Sequence, residues 1–368
     1  MSTWMLLMLF ILPIPWVAKL FWPREITLME IGCTTIVAVL LASIVYFLGI
    51  AGKTHDVEVW NGEITGKTRV HGTYEQPYSC NCRQTCSGSG KNRSCSETCD
   101  TCYETHYTVH WNAQSTIGEF GIDSLDRTSR SVYMSLDPQR YVNVRIGEPC
   151  SRTSAFTNYV KAVPDSLFHA NPLLAQKFAG LIPEYPSNIY DIYRINRVLA
   201  VNVPVTDIGA WNNDLGITLR KLGPQKQANA VIIFVNTPDR NYINALESAW
   251  LGGKKNDIII AVGVTQWPHI DWVEVSSWTK QELFKVQLRD DLQALGDVDR
   301  AQFMALINKH TTETFVRRPM RDFEYLADEI EPALWVIILA TVLGVLASLG
   351  LSYWFYREDP FGSNYNWR

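Results

Sequence analysis

Six cysteines, Cys80, Cys82, Cys86, Cys95, Cys99 and Cys102, fall within 23 residues of a 368-residue chain. Gly, Ser and Asn fill the gaps between them, so this stretch has almost no apolar material with which to build a core. Ordering such a chain costs about 1–2 kcal/mol per residue in backbone entropy unless cross-links remove that freedom from the unfolded state. Thiols at this density either oxidise in pairs or hold a metal. Cys99-x-x-Cys102 has the spacing of a zinc-thiolate pair, and His106 and His110 lie close enough in sequence to add ligands. The whole pattern, CxC, x3, C, x8, C, x3, C, x2, C, is not the paired CxxC of a zinc knuckle. Disulfides are therefore the leading reading and zinc the alternative. Thioredoxin-like redox chemistry would need a strand-to-helix context that the surrounding residues lack. Six cysteines pairing among themselves allow fifteen connectivities, and spacing does not choose among them. Cys150 is left over as a free thiol or an exchanged partner, and Cys33 sits in an apolar run as a small apolar residue.

Carboxylates are the other candidates. Asp239, Asp257 and Asp271 each lie near the end of a predicted strand and together could hold calcium or magnesium. Ligands of open α/β sheets bind beyond the carboxyl ends of the strands, and Asp239 follows its strand whereas the other two precede theirs. The competing reading is three turn or capping aspartates. HExxH, GxSxG and GxGxxG do not occur. Gly52-Lys53-Thr54 and Gly66-Lys67-Thr68 have Phe47 and Asn61 where a phosphate loop needs glycine. No cofactor is assigned, zinc and calcium being the two ions these residues would suit. A net charge of −4, without long runs of one sign, excludes nucleic acid as the main partner.

Three apolar runs must position these groups. Ala333 to Tyr356 is an uncharged run of 24 residues. As a helix it would be about 36 Å long, enough to cross a hydrocarbon core of about 30 Å. Ile31 to Ile50 is a second uncharged run, and Trp4 to Leu20 is a third apolar one, interrupted by Pro13 and Pro15. Lys19 and Arg24 lie in the short loop KLFWPRE between the Trp4–Leu20 and Ile31–Ile50 runs, which places that loop in the cytoplasm. The chain from about 52 to 332 then lies outside, where disulfides form. Ala340, Gly344 and Ser348 make a small-residue stripe on the last span, and Ala38 and Ala42 a matching face on the second. The two are expected to pack together.

From Val57 onward the outer chain alternates in strand fashion, with Asn61-Gly62 as a hairpin signal and Asn92-Arg93-Ser94 as a glycosylation sequon. Residues 156–205 are punctuated by prolines and read as a linker. Beyond them the order is helix, strand, helix, strand, strand, helix, helix, with Thr206 as a cap, Gly223-Pro224 as a stop and Thr279-x-x-Glu282 as a capping box. Trp250, Gly253, Asn256 and Asp257, within AW…GGKKNDIIIAVG, carry a likeness. Residues 206–316 resemble the TPM-domain family of small α/β domains. A Gly-x-Gly that commonly follows the third strand in that family is replaced here by Ser276 to Lys280. The resemblance implies an extracytoplasmic α/β domain next to a membrane helix. Some members are phosphatase-like or bind calcium, and others are auxiliary or assembly proteins; only Asp257 carries over as a site residue.

The expected fold is membrane-anchored α+β: three transmembrane helices, a β-rich cysteine-stapled domain and a three-layer TPM-like α/β domain. The expected divisions are a transmembrane hairpin at 1–52, the β-rich domain at 53–155, the linker at 156–205, the α/β domain at 206–330 and the last span with a cytoplasmic tail at 331–368. The expected role is a non-enzymatic scaffold, assembly or interaction protein of a bacterial or phage-encoded kind. It would sit multi-pass in the cell (inner) membrane, with the lipid bilayer and a protein at the membrane surface as its partners. The alternative is an extracytoplasmic metal-dependent phosphatase or other hydrolase.

Overall fold

The computed structural model describes residues 3–87, 94–122, 137–163, 172–191, 194–358 and 360–361. Three helical stretches are long and apolar enough to cross a membrane: Thr3–Phe21, Leu28–Thr54 and Leu334–Glu358. The first is divided at Pro13 into α1 (Thr3–Ile11) and α2 (Pro13–Phe21), because proline has no N–H to give to the helix. Next, α3 (Leu28–Thr54) opens on a capping box. Thr27 Oγ1 accepts from the Glu30 amide, and Glu30 Oε2 accepts from the Thr27 amide at 2.6 Å.

With no intervening loop, α3 passes into β1 (His55–Ser87). It pairs antiparallel with β2 (Ser94–Ser115), which pairs in turn with β3 (Gly118–Gly121). After α4 (Gln139–Asn143), β4 (Pro149–Thr157) joins the other side of β1, giving the order β3-β2-β1-β4. Asn61-Gly62 is not a hairpin; β1 runs straight through it. Asn61 is 3% exposed and spends its side chain on a neighbouring unit, while a Cβ on Gly62 would lie 2.2 Å from Thr116 Oγ1. Tertiary contacts therefore override the local turn preference. Below the arm this sheet covers a small core of Ile64, Val109, Trp111, Ala113, Ile122 and Val144. Farther out, β1 and β2 continue alone as a two-stranded arm. No described residue of the arm is buried between 71 and 86, or between 95 and 106. At about 3.3 Å per residue, His71 to Ser87 would extend about 55 Å. The Asn92-Arg93-Ser94 sequon falls partly outside the described residues.

After α5 (Tyr159–Ala162) and α6 (Pro172–Lys177), a second sheet is built from β5 (Val198–Val201), β6 (Asn229–Val235), β7 (Asp257–Gly263) and β8 (Trp272–Ser277). The first three are parallel and β8 is antiparallel. Between these strands lie α7 (Ile208–Lys226) and α8 (Tyr242–Ala249), and after them α9 (Glu282–Gln293) and α10 (Arg300–Glu313). Trp211, Leu215, Phe284, Leu288 and Phe303 of α7, α9 and α10 cover one face of the sheet. On the other, Tyr242 and Leu246 of α8 pack with Phe178, Leu181 and Tyr185. Three layers result. Strand β5 and the segment from Phe178 to Tyr185 thus belong to the α/β unit, and residues 156–205 are not merely a linker. Three local expectations also change. Asp207, not Thr206, caps α7. The helix continues through Pro224 and closes at Gln227 in the left-handed region. Finally, Thr279 Oγ1 accepts from Gln281 and donates to Val316 O, so α9 starts at Glu282 without a capping box.

A 3₁₀ stretch (Met320–Glu329) leads to α11 (Leu334–Glu358). Helices α3 and α11 pack antiparallel: Gly49 lies against Val336, and Gly344 against Ala42. Ala38, Ala42, Ala340 and Ser348 are all 0% exposed. A Cβ on Gly344 would lie 2.4 Å from Ile11 Cδ1, so α1 shares this seam.

Candidate functional site: the stapled arm and the polar seam

Along the arm the cysteines meet across the two strands. Cys80 pairs with Cys102, Cys82 with Cys99 and Cys86 with Cys95, closing loops with sequence separations of 22, 17 and 9. In the ladder Cys86 faces Cys95 directly, whereas Cys80 faces Asp100 and reaches Cys102 diagonally; the register shifts by one residue between Cys80 and Arg83. Cys99 and Cys102 belong to different disulfides, so their sulfurs do not form a zinc pair. His106 stacks on Tyr74 with ring centroids 5.3 Å apart, and His110 sits opposite Val70 in the ladder. Of the remaining cysteines, Cys33 is half-buried and free, and Cys150 is free and buried, its thiol pushed up to about 11 by that burial. Between the base and the first staple, Cys80–Cys102, the arm displays Tyr74, Tyr78 and Tyr103, exposed by 50, 51 and 62%.

The three aspartates separate. Asp239, in the turn after β6, pairs with Lys177 and accepts from the Asn241 amide at 2.9 Å; the lysine first, then that amide, hold its carboxyl below the usual range. Asp271 accepts from the Thr265 amide at 2.6 Å, at the same end of the sheet. Asp257 begins β7 opposite Asn229, whereas that end of β7 is Gly263 opposite Val235. Seven residues of strand, about 20 Å, therefore keep Asp257 from sharing an ion with Asp239 or Asp271.

Asp257 belongs instead to a polar seam between the β1–β4 sheet and the α/β unit. Its Oδ1 accepts from Asn229 Nδ2 at 2.9 Å, and its Oδ2 accepts from Tyr185 Oη and the Lys254 amide, both at 2.8 Å. Asn229 Oδ1 accepts from Asn61 Nδ2 at 3.1 Å, and Asn61 Oδ1 accepts from Arg197 Nη2. A buried guanidinium and a buried carboxylate are thus joined through two amides. Alongside, Asp56 takes Lys254 Nζ at 2.5 Å and Asn158 Nδ2 at 2.8 Å. Glu58 takes Arg317 Nη2 on both oxygens and faces Lys255 at 3.5 Å. Backbones meet here too. Asn256 Nδ2 donates to Val59 O at 2.7 Å, and a Cβ on Gly223 would lie 1.9 Å from Asn61 O.

No family model, curated protein or solved structure matches the chain. Function is therefore read from geometry alone. The seam lies at the amino-terminal edge of β6 and β7, away from the edge where ligands of parallel sheets gather. Most of its donors and acceptors are spent on one another, which suits fixing orientation better than holding a substrate. Electrostatics divides its two buried aspartates. Burial drives the Asp56 carboxyl up, but Lys254, Asn158 and the Val57 amide together outweigh it and hold the group below its ordinary range. For Asp257 burial wins over Asn229, Lys254 and Tyr185, and the carboxyl is raised. Tyr185 is raised as well, by burial and then by the neighbouring Asp257 charge.

Sequence reasoning gave none of Asp56, Glu58, Asn61, Arg197, Lys254 and Arg317 a place in such a seam, and read Asn61 as a turn residue. Asp56 and Glu58 alternate within DVEVW as a solvated strand face would, and only the α/β unit lying over them reveals burial. A usable signal was the arginine of INRVLAV, a charge set directly against an apolar strand.

Proposed function

We propose that the chain is a membrane-anchored interaction protein. Its α/β unit and seam form a rigid base, and its stapled arm projects from the base to bind a protein partner on the extracytoplasmic side of a cell membrane. The arm carries this reading: two strands exposed on both faces, cross-linked three times and set with three half-exposed tyrosines. A structure needing only to be stable would bury its strands. Covalent rigidity with exposed aromatic rings instead supplies contact area at low entropic cost on binding. Lys19 and Arg24 in the first loop support the orientation, as do the disulfides. The α/β unit, read as TPM-like, is the platform in this proposal rather than the active part.

The test places a photo-crosslinking residue at Tyr78 or Tyr103 of the full chain in native membranes, with Ile217 on α7 as the control position. Discrete adducts are expected from the arm positions and not from Ile217, and the Tyr78 adduct should be lost on adding Tyr74→Ser. Absence of adducts from both arm positions, with the disulfides intact by mass, overturns the proposal.

A further inference from the structure

A cavity of about 430 Å³ opens between β4 and the amino-terminal half of α7. Its floor holds Asn61, Ser151 and Arg197, all buried, and its mouth holds Arg145 and Arg194, both exposed. Arg197 is 4% exposed, and Nη2 gives its hydrogen bonds to two neutral acceptors, Asn61 Oδ1 and Ser151 Oγ. Its Nε is buried without a partner. Among the described residues no carboxylate lies within ion-pair distance of this guanidinium; Asp257 is reached only through Asn61 and Asn229. A buried cation held by neutral groups is costly, and removing it from water is offset only when an opposite charge comes close. The desolvation shows in the group itself, which is pulled down to about 10.

The lining says which charge would fit. Among the described lining residues Glu148 is the one carboxylate, against three guanidiniums. Guanidinium forks match planar carboxylate and tetrahedral phosphate alike, but only phosphate offers a separate oxygen to each of three arginines. A volume of about 430 Å³ also leaves room for more than a bare ion. Asn61 is seven residues beyond Thr54, the end of α3, or about 23 Å of strand, which is out of reach of the lipid head groups around that helix. We propose that this cavity binds the phosphate group of a small, soluble phosphate ester, with Arg197 at its floor and Arg145 and Arg194 closing on it from the mouth.

The experiment is a calorimetric titration of the full chain, in zwitterionic detergent, with inorganic phosphate and with glycerol 3-phosphate. Saturable one-to-one binding is expected, tighter for the ester. Arg145→Ala with Arg194→Ala should weaken it at least tenfold; both side chains are exposed, so this variant keeps the fold. Arg197→Lys keeps the buried charge and loses the fork, and should weaken binding with little change in thermal stability. No saturable binding of either probe, or equal binding in the double variant, overturns the site. Loss of glycerol 3-phosphate binding in phosphatidylglycerol nanodiscs, but not in phosphatidylcholine ones, overturns the soluble ligand in favour of a lipid head group.

Discussion

Every residue of β6 and β7 is buried, whereas β1 buries none of its residues from 71 to 86. The two regions share a backbone conformation and differ in what makes it worth adopting. In the α/β sheet each Ile or Val taken out of water contributes about 1.5–3 kcal/mol, and the strands are short because the two helical layers cover no more. In the arm that term is nearly absent, and a bare two-stranded ribbon is at best marginal in water. Three disulfides replace it, each worth about 3 kcal/mol for loops of this size through restriction of the unfolded chain. Burial makes a surface that is used up by folding. Cross-linking makes one that remains available after it.

Removing the staples should break the contrast most completely. Reduction forfeits about 9 kcal/mol of arm stability by the loop arithmetic, against a ribbon with no core. The arm is expected to become a protease target and lose its exchange protection from 71 to 106, while the α/β unit unfolds at an unchanged temperature. Phe303→Ala should do the reverse. That ring is 0% exposed and packs on Trp211 and Phe234, so its loss costs the α/β unit about 3–5 kcal/mol and leaves the reduced-minus-oxidised difference in the arm as it was. Hydrogen exchange followed by mass spectrometry reads both. A reduced arm that stays protected would show that its strands hold each other without the bonds.

The difference between the two regions also explains what could be read in advance. Hydrophobic runs such as AVIIFV and IIIAVG declare burial on both faces, and the three spans declare themselves by length. The small-residue faces at Ala38 and Ala42 and at Ala340, Gly344 and Ser348 were legible because close approach of two helices needs small side chains. The arm was legible only as a cross-linked loop. Its strands carry Gly, Ser and Asn because nothing packs on them, so the β signal is missing where burial is missing. Connectivity was out of reach, since it depends on a register that a one-residue shift at Cys80 decides. Asn61-Gly62 and Pro224 misled in one way: each carries a strong local preference that the seam overrides, Asn61 by hydrogen-bonding Asn229 and α7 by lying on β1 at Gly223.

The seam joins the two regions, and its pH dependence sharpens their boundary. Asp56 has a folded-state carboxyl depressed below its ordinary value of 3.8, so its stabilising contribution is full above that value and is lost as pH falls through the folded one. Asp257 is raised, so its contribution runs the other way: present below the ordinary value and lost as pH rises through the folded one. Asp56→Asn leaves Lys254, whose side chain is 18% exposed, without its carboxylate partner. At neutral pH it should cost about 3 kcal/mol, the low end of what breaking a buried pair costs. The same variant should flatten the loss of stability below about pH 4, because the titrating group is gone. Denaturant titrations of the oxidised full chain between pH 3 and pH 7 measure this. An acid limb identical in wild type and variant would remove Asp56 from the coupling.

The smallest effect is expected inside the membrane, where neither hydrophobic burial nor cross-links separate one packing from another. Lipid tails are as apolar as Leu, so α3 and α11 associate through close contact rather than through exclusion of water. Gly344 is where three helices meet: an added Cβ would lie 2.4 Å from Ile11 of α1 and 3.3 Å from Ala42 of α3. Gly344→Leu should therefore open the three-helix seam at a cost of about 1–3 kcal/mol, while a longer apolar side chain leaves insertion itself intact. Cross-linking between cysteines placed at Val39 and Ala347, which pack on the same cluster, should fall in the variant at equal membrane content. An unchanged yield would mean that the β1–β4 sheet and the α/β unit, already joined through Asp56, Glu58 and Asn61, hold the helices together and that the small-residue stripe follows rather than leads.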